Sequence, residues 1–321
     1  MSVTTPTYIN PLTDFGFKFI FGRDADKTFI ISFLNALGVG EKPITEVWFM
    51  DKENNGESKD DRALIYDLHC QLEDGSRIIV EMQNRYQTHF NDRAVYYVAA
   101  DIYAQGMKGK EWNYKLTPVC GVFLMNFEWK DDNEQQLRED VCLYNIETKK
   151  VFSDKMRMIF LKIPMMDKDA EDCRTTFERW LYLLKNMDKM DMIPQTFTKE
   201  PVFERLEKVA RYAVLSDRQK KAYNESLKVY RDNYAIAETE RNEGIAEGIA
   251  IGRAEGLAEG LTKGLTEGRA EGRAEGRAEG RVEGLAEGLT KGRAEAIAEQ
   301  LQIAKEMGLP EDVIARLFGK K

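Results

Sequence analysis

From Gly244 to Gly292 glycine returns at every fourth position, thirteen times, in a unit close to glycine, arginine or leucine, alanine, glutamate. Four residues turn an α-helix through about 400°, so each row of the repeat drifts about 40° per unit around the axis. Each glycine costs roughly 1 kcal/mol against alanine, on the order of 13 kcal/mol for the whole row. Charge spacing does not offset this. Glu and Arg sit two residues apart, which never face each other on a helix, while Arg269, Arg273, Arg277 and Arg281 sit four apart and repel. A lone stable helix is not expected. Two readings stand side by side. Two or more chains pack as a coiled coil, with glycine rows in close approach, Glu rows meeting Arg rows and right-handed winding; or the segment is a fluctuating low-complexity spacer.

The chain has 321 residues and a net charge of −8, and the stretch 235–300 holds fourteen Glu against nine Lys and Arg. The acidity is thus shared, and nothing marks a general nucleic-acid binder, although clustered lysines can still form a local path. The four cysteines, Cys70, Cys120, Cys142 and Cys173, lack the close pairing of zinc or redox motifs and read as buried thiols in a reducing cytosol. No apolar run approaches the roughly 18–20 residues of a membrane span. The start, Met1 to Asn10, lacks the basic and apolar regions of a signal peptide. A cytoplasmic protein without membrane partners is expected.

The chemistry is concentrated between Asp67 and Gln83. In 63–72, Leu64, Tyr66, Leu68, Cys70 and Leu72 alternate to one side and Asp67 falls on the other. In 77–83, Ile78, Val80 and Met82 share one face, and Ile79, Glu81 and Gln83 the opposite one. Glu73, Asp74 and Gly75 form a three-residue hairpin loop, with glycine in the left-handed position. That loop pairs Leu72 with Ser76 and so sets Asp67 opposite Glu81, on the same side of the sheet. Two like charges placed there repel, and a divalent cation would satisfy both. Mg²⁺ typically uses one or two carboxylates together with waters and substrate phosphates, and the Met82 carbonyl is a further candidate oxygen ligand. Gln83, on the same face, can orient a water through its amide but brings no positive charge.

The rest of the chain alternates strand and helix. The aromatic opening Thr13–Phe21 precedes a helix over Asp26–Leu37 that Gly38 stops. A strand follows at Ile44–Met50, and then a polar loop over Asp51–Asp61. A helix over Asn91–Gln105 turns Val95, Val98, Ala99 and Ile102 inward. Pro118–Phe127 reads as a buried strand parallel to the hairpin, joined through that helix by a right-handed crossover. Further strands lie at Val141–Ile146 and Met156–Ile163, and helices at Glu171–Lys185 and Val202–Tyr234. The expected class is α/β: a mixed sheet flanked by helices over 1–165, a helical extension over 166–234, the repeat tail over 235–300 and a short helical segment over 301–321.

Four stretches carry a family resemblance: Asn10-Pro11-Leu12-Thr13-Asp14-Phe15-Gly16-Phe17-Lys18, Ile79-Val80-Glu81-Met82-Gln83, Phe90-Asn91-Asp92-Arg93-Ala94-Val95-Tyr96-Tyr97 and Tyr114-Lys115-Leu116-Thr117-Pro118-Val119. Asp67 followed by Glu81-Met82-Gln83 on the next strand resembles the pattern of the PD-(D/E)xK nucleases, and the four stretches together resemble, within that superfamily, the Rpn family of recombination-promoting nucleases and transposases. The likeness runs over about residues 8–235. It implies a Mg²⁺-dependent DNA endonuclease, with Mn²⁺ as a substitute, linked to recombination or transposition. Asp67 and Glu81 take the place of the family's metal ligands, and Gln83 stands where the superfamily name has lysine. Tyr66 stands where that name has proline. The competing reading is a weak or inactive nuclease-fold module that binds DNA or protein and oligomerises through its repeat tail. Around the site, Arg93 reads as a DNA-phosphate contact or a brace for Glu81, or equally as a helix-surface residue or structural ion pair. Asp14 and Lys18 read as an ordinary i,i+4 pair, His69 as a strand histidine, His89 as a loop residue, and Tyr96 and Tyr97 as packing groups.

Overall fold

The computed structural model describes residues 6–50, 53–54, 64–106, 112–127 and 136–318. Two helices open the chain, α1 (Asp14–Phe21) and α2 (Lys27–Leu37). Each starts on a side-chain cap, Thr13 for α1 and Asp26 for α2. Gly38 ends α2 in the left-handed conformation, at φ 63°, where a Cβ would be strained. The strands that follow are β1 (Val47–Phe49), β2 (Glu53–Asn54), β3 (Leu64–Ile65), β4 (Leu68–Leu72) and β5 (Arg77–Gln83). After α3 (Phe90–Tyr103) come β6 (Val119–Met125), β7 (Arg138–Tyr144) and β8 (Val151–Lys162). The helices α4 (Thr176–Asn186), α5 (Gln195–Thr198), α6 (Pro201–Val209), α7 (Asp217–Glu306) and α8 (Glu311–Phe318) complete the chain.

Six strands form one mixed sheet in the order β1-β4-β5-β6-β8-β7. The β5–β6 and β6–β8 pairs are parallel; β1–β4, β4–β5 and β7–β8 are antiparallel. The expected strand 63–72 is split. Leu64 and Ile65 pair with Glu53 and Asn54 in a separate two-stranded ladder, and the main sheet resumes only at Leu68. Much of the polar loop expected over Asp51–Asp61 lies outside the described residues.

Each face of the sheet carries its own cluster. On one, Leu68, Cys70, Ile78, Val80, Val122 and Leu124 meet the apolar sides of α1, α2, α4 and α6. Phe21, Phe33, Trp180 and Phe203 interlock there, with ring centroids 5.0–6.1 Å apart. Residues 166–234 therefore share a core with the N-terminal helices. On the other face α3 covers Ile79, Phe123, Met158 and Phe160. Gly121 allows this approach: a Cβ there would stand 2.8 Å from Val98 and 2.6 Å from the Phe123 ring.

The inward side of α3 differs from the expected one. Ala94, Tyr97, Val98 and Asp101 are buried, Ile102 packs at the margin, and Val95 and Ala99 are exposed. Tyr66 also joins this face rather than that of Leu68, because the chain bends between β3 and β4. The helix expected over Val202–Tyr234 is interrupted between α6 and α7, where Arg211 forms a β-bridge with Tyr8 and Ser216 and Gln219 cap the new helix reciprocally.

The chain divides into two compact units, Met1–Glu240 and Arg241–Lys321. In the second, the glycine repeat is helical throughout as part of α7, and among the described residues nothing lies within 4 Å of a Cβ placed on Gly244 to Gly292. No helix among the described residues is long and apolar enough to cross a membrane.

Candidate metal site on the α3 face

The three-residue loop sets the register of β4 against β5. Gly75 takes φ 85°, Leu72 N donates to the Ser76 carbonyl at 2.9 Å, and the ladder pairs Leu68 with Val80 and His69 with Ile79. One step further, Asp67 lies opposite Glu81, as the loop length requires.

The bend at Tyr66 and Asp67 sharpens this pairing. β4 begins at Leu68, so the ladder does not reach Met82. The Met82 N–H instead donates to Asp67 Oδ2 at 2.9 Å, and the Asp67 N–H donates to Glu81 Oε1 at 3.1 Å. Each acid thus accepts from the other's strand, and both carboxylates are held on the α3 side of the sheet. Gln83 is half-buried on the same side, its amide nitrogen 3.4 Å from Glu81 Oε2.

The electrostatics follow from this placement. Glu81 is 3% exposed. Burial first, and the Asp67 charge second, push its carboxyl up to about 8; the Arg93 charge pulls in the opposite direction. Arg93, in the first turn of α3, donates from Nε and Nη2 to the Tyr97 hydroxyl at 2.9 and 2.6 Å, and from Nη1 to Gln87 Oε1 at 3.0 Å. Tyr97 stacks edge-on against Tyr66, with centroids 5.4 Å apart.

The donor set is all oxygen and carries no lysine between the acids. Among the described residues no group of three or more His, Cys, Asp or Glu is placed to hold a metal. Two carboxylates alone are the protein share that Mg²⁺ or Mn²⁺ commonly takes, with water and phosphate oxygens supplying the rest. A buried acid with a raised pKa beside a second carboxylate fits such an ion.

Other expected residues fall away from this pair. Asp14 and Lys18 form an exposed i,i+4 ion pair on α1, His89 sits exposed beside Asp92, and Tyr96 is exposed. His69 shares the Asp67 face but turns to Asp101: Nε2 lies 3.1 Å from Asp101 Oδ1, which also meets Arg77 Nη1 at 3.2 Å. In this cluster under α3, His69 and Asp101 are buried and Arg77 half-buried, and no motif in the sequence announces it. Its one available signal was an acid at the i+4 position from Tyr97, on the helix side that faces the sheet. A second missed group is the amide chain that holds the end of β5. Asn126 N donates to the Gln83 carbonyl at 2.8 Å, and its side chain donates to Asn84 and Tyr230.

Neither the curated proteins nor the solved structures contain a match to this chain. Residues 11–240 match the family model described as PD-(D/E)XK nuclease family transposase, a span that holds the whole sheet, the carboxylate pair and α3. An acid on β4's approach, an acid and an amide on β5 and a mixed sheet with a parallel centre agree with that match, and the chain belongs to the PD-(D/E)XK nuclease family transposases.

Proposed function

We propose that this chain is a metal-dependent DNA endonuclease in which Asp67 and Glu81 hold Mg²⁺, or Mn²⁺ in its place, and Gln83 orients the attacking water. The observation that carries the reading is the pairing of a buried Glu81 with Asp67 through reciprocal cross-strand hydrogen bonds. A like-charge pair of this kind is costly unless a cation or a proton neutralises it. When bound, the cation supplies Lewis-acid stabilisation of phosphate charge and eases deprotonation of a coordinated water.

The chain's own residues set the geometry. The Met82 N–H holds Asp67 Oδ2, and the Asp67 N–H holds Glu81 Oε1, which keeps the carboxylates from swinging apart. Gln83 presents both an amide donor and a carbonyl acceptor beside Glu81. Its carbonyl would accept from a water and aim the oxygen lone pair at phosphorus. Hydrolysis forms one phosphorus–oxygen bond from water and breaks the ester bond to the leaving oxygen. One water proton ends on that oxygen and the other passes to solvent.

Plasmid nicking in Mg²⁺ and in Mn²⁺ tests this. Asp67→Ala and Glu81→Ala should each lower cutting by about 10³-fold or more, as loss of a principal charge-stabilising group does. Variants that cut like the wild type would remove both residues from the site.

The neutral amide of Gln83 favours a second reading, a DNA-binding module with little or no cleavage. It predicts retention of DNA without nicking in either metal, and cutting gained by Gln83→Lys. In both readings the repeat tail joins copies of the chain, an arrangement supported by the uncovered glycine rows of α7.

A further inference from the structure

We infer that Arg93 is the group of this chain that meets the scissile phosphate, bringing from α3 the positive charge that Gln83 does not bring from β5. The inference rests on the nuclease reading above. A phosphodiester approaching Asp67 and Glu81 meets two acids and a neutral amide on the strands. Among the described residues Arg93 brings a positive charge to this face: it lies on the helix that crosses it and donates to the Tyr97 hydroxyl, whose ring packs on Tyr66 beside Asp67.

Its setting suits an anion. Three of the five guanidinium donors are engaged, and their acceptors are the neutral Tyr97 hydroxyl and Gln87 amide. By contrast Arg77, Arg85, Arg157 and Arg179 each pair with a carboxylate. The Arg93 charge is therefore oriented without being neutralised. Arg93 is half-buried, so its attraction for an anion is screened less than that of a fully solvated side chain.

Orientation comes from below. Tyr97 is buried against Tyr66, the residue next to Asp67. The bend before β4 brings Tyr66 to this face, and the Tyr66 ring supports the tyrosine whose hydroxyl holds Arg93. A planar fork held this way matches two non-bridging phosphate oxygens, on which charge builds as the water attacks.

The test compares wild type, Arg93→Gln, Arg93→Lys and Tyr97→Phe in plasmid nicking with Mn²⁺, together with calorimetric Mn²⁺ binding on the same proteins. Arg93→Gln should lower kcat by about 10²-fold or more, the usual effect of removing one charge-stabilising donor. Arg93→Lys should recover part of that loss, because charge returns without the fork. Tyr97→Phe should lower kcat less than Arg93→Gln, and none of the three should weaken Mn²⁺ binding. Arg93→Gln cutting within about threefold of a cutting wild type would overturn the inference while leaving the nuclease reading intact. So would a loss that follows only the folded fraction or the bound metal. A wild type that nicks nothing in either metal would overturn the nuclease reading first, and this inference with it.

Discussion

Glu81 is an acid kept from water beside another acid, and its protonation ties the site to the stability of the fold. Its carboxyl sits at about 8 in the folded chain, against roughly 4.3 for an ordinary glutamate. Between those values the folded state keeps a proton that the unfolded chain has released. Metal-free stability therefore falls as pH rises through this window, and the Glu81 contribution levels off above about 8. In chelator, the melting temperature of the wild type should drop between about pH 5.5 and pH 8 by more than that of Glu81→Gln, which has no proton to lose. Added Mg²⁺ should restore the wild type at the higher pH and leave Glu81→Gln unmoved. Equal pH slopes for the two proteins would show that Glu81 ionises freely in the fold. At this scale the pair was legible because a three-residue loop leaves one register, and the register fixes which side chains meet. Asp101 was not legible: its partners, His69 and Arg77, come from two strands, and no local spacing announces them.

The element that positions the site is α3, and it reaches the sheet only because β6 carries Gly121 beneath it. Phe123, which a Cβ at Gly121 would strike, is itself held by Phe90 and Phe160 at 5.8 and 5.2 Å. Gly121→Ala should therefore cost about 1–3 kcal/mol in denaturant unfolding, the range for overpacking a filled core. The displacement should pass to Tyr97 and Arg93 on the same helix and lower cutting as well. A variant with unchanged stability would mean that the α3–β6 contact yields freely. The helix itself was readable from the apolar spacing over Asn91–Gln105, but its inward face was not. Val95 and Ala99 are apolar yet exposed, while Asp101 is buried because an arginine and a histidine wait for it. The break at Tyr66 escaped for a similar reason. Alternation runs unbroken through 63–72 in the sequence, and only pairing with Glu53 and Asn54 diverts Leu64 and Ile65 to another ladder.

The whole molecule joins a packed unit that ends at Glu240 to a unit made mostly of repeat. The family match, over residues 11–240, ends at the same residue as this compact unit. The glycine period was plain in the sequence, whereas the continuity of the helix from Asp217 to Glu306 was not. Propensity argues against a long glycine-rich helix, and among the described residues nothing lies within 4 Å of a Cβ placed on its glycines. A second copy would supply the missing contacts, through close backbone approach and Glu rows against Arg rows. Removing residues 241–300 should then lower the mass measured by light scattering from an oligomer to a monomer, with the first unit still folded by circular dichroism. A mass that falls only by the deleted residues would leave the repeat as a spacer between independent parts.

Titration calorimetry with Mg²⁺ and Mn²⁺ near pH 7, on the wild type, Asp67→Asn and Glu81→Gln, reaches the central claim directly. The account predicts binding by the wild type with release of about one proton, read from buffers of different ionisation heat, because the cation must displace the proton that Glu81 retains at that pH. It predicts loss of that binding in both variants. Undiminished binding by Glu81→Gln, or no binding by the wild type in either metal, would contradict it.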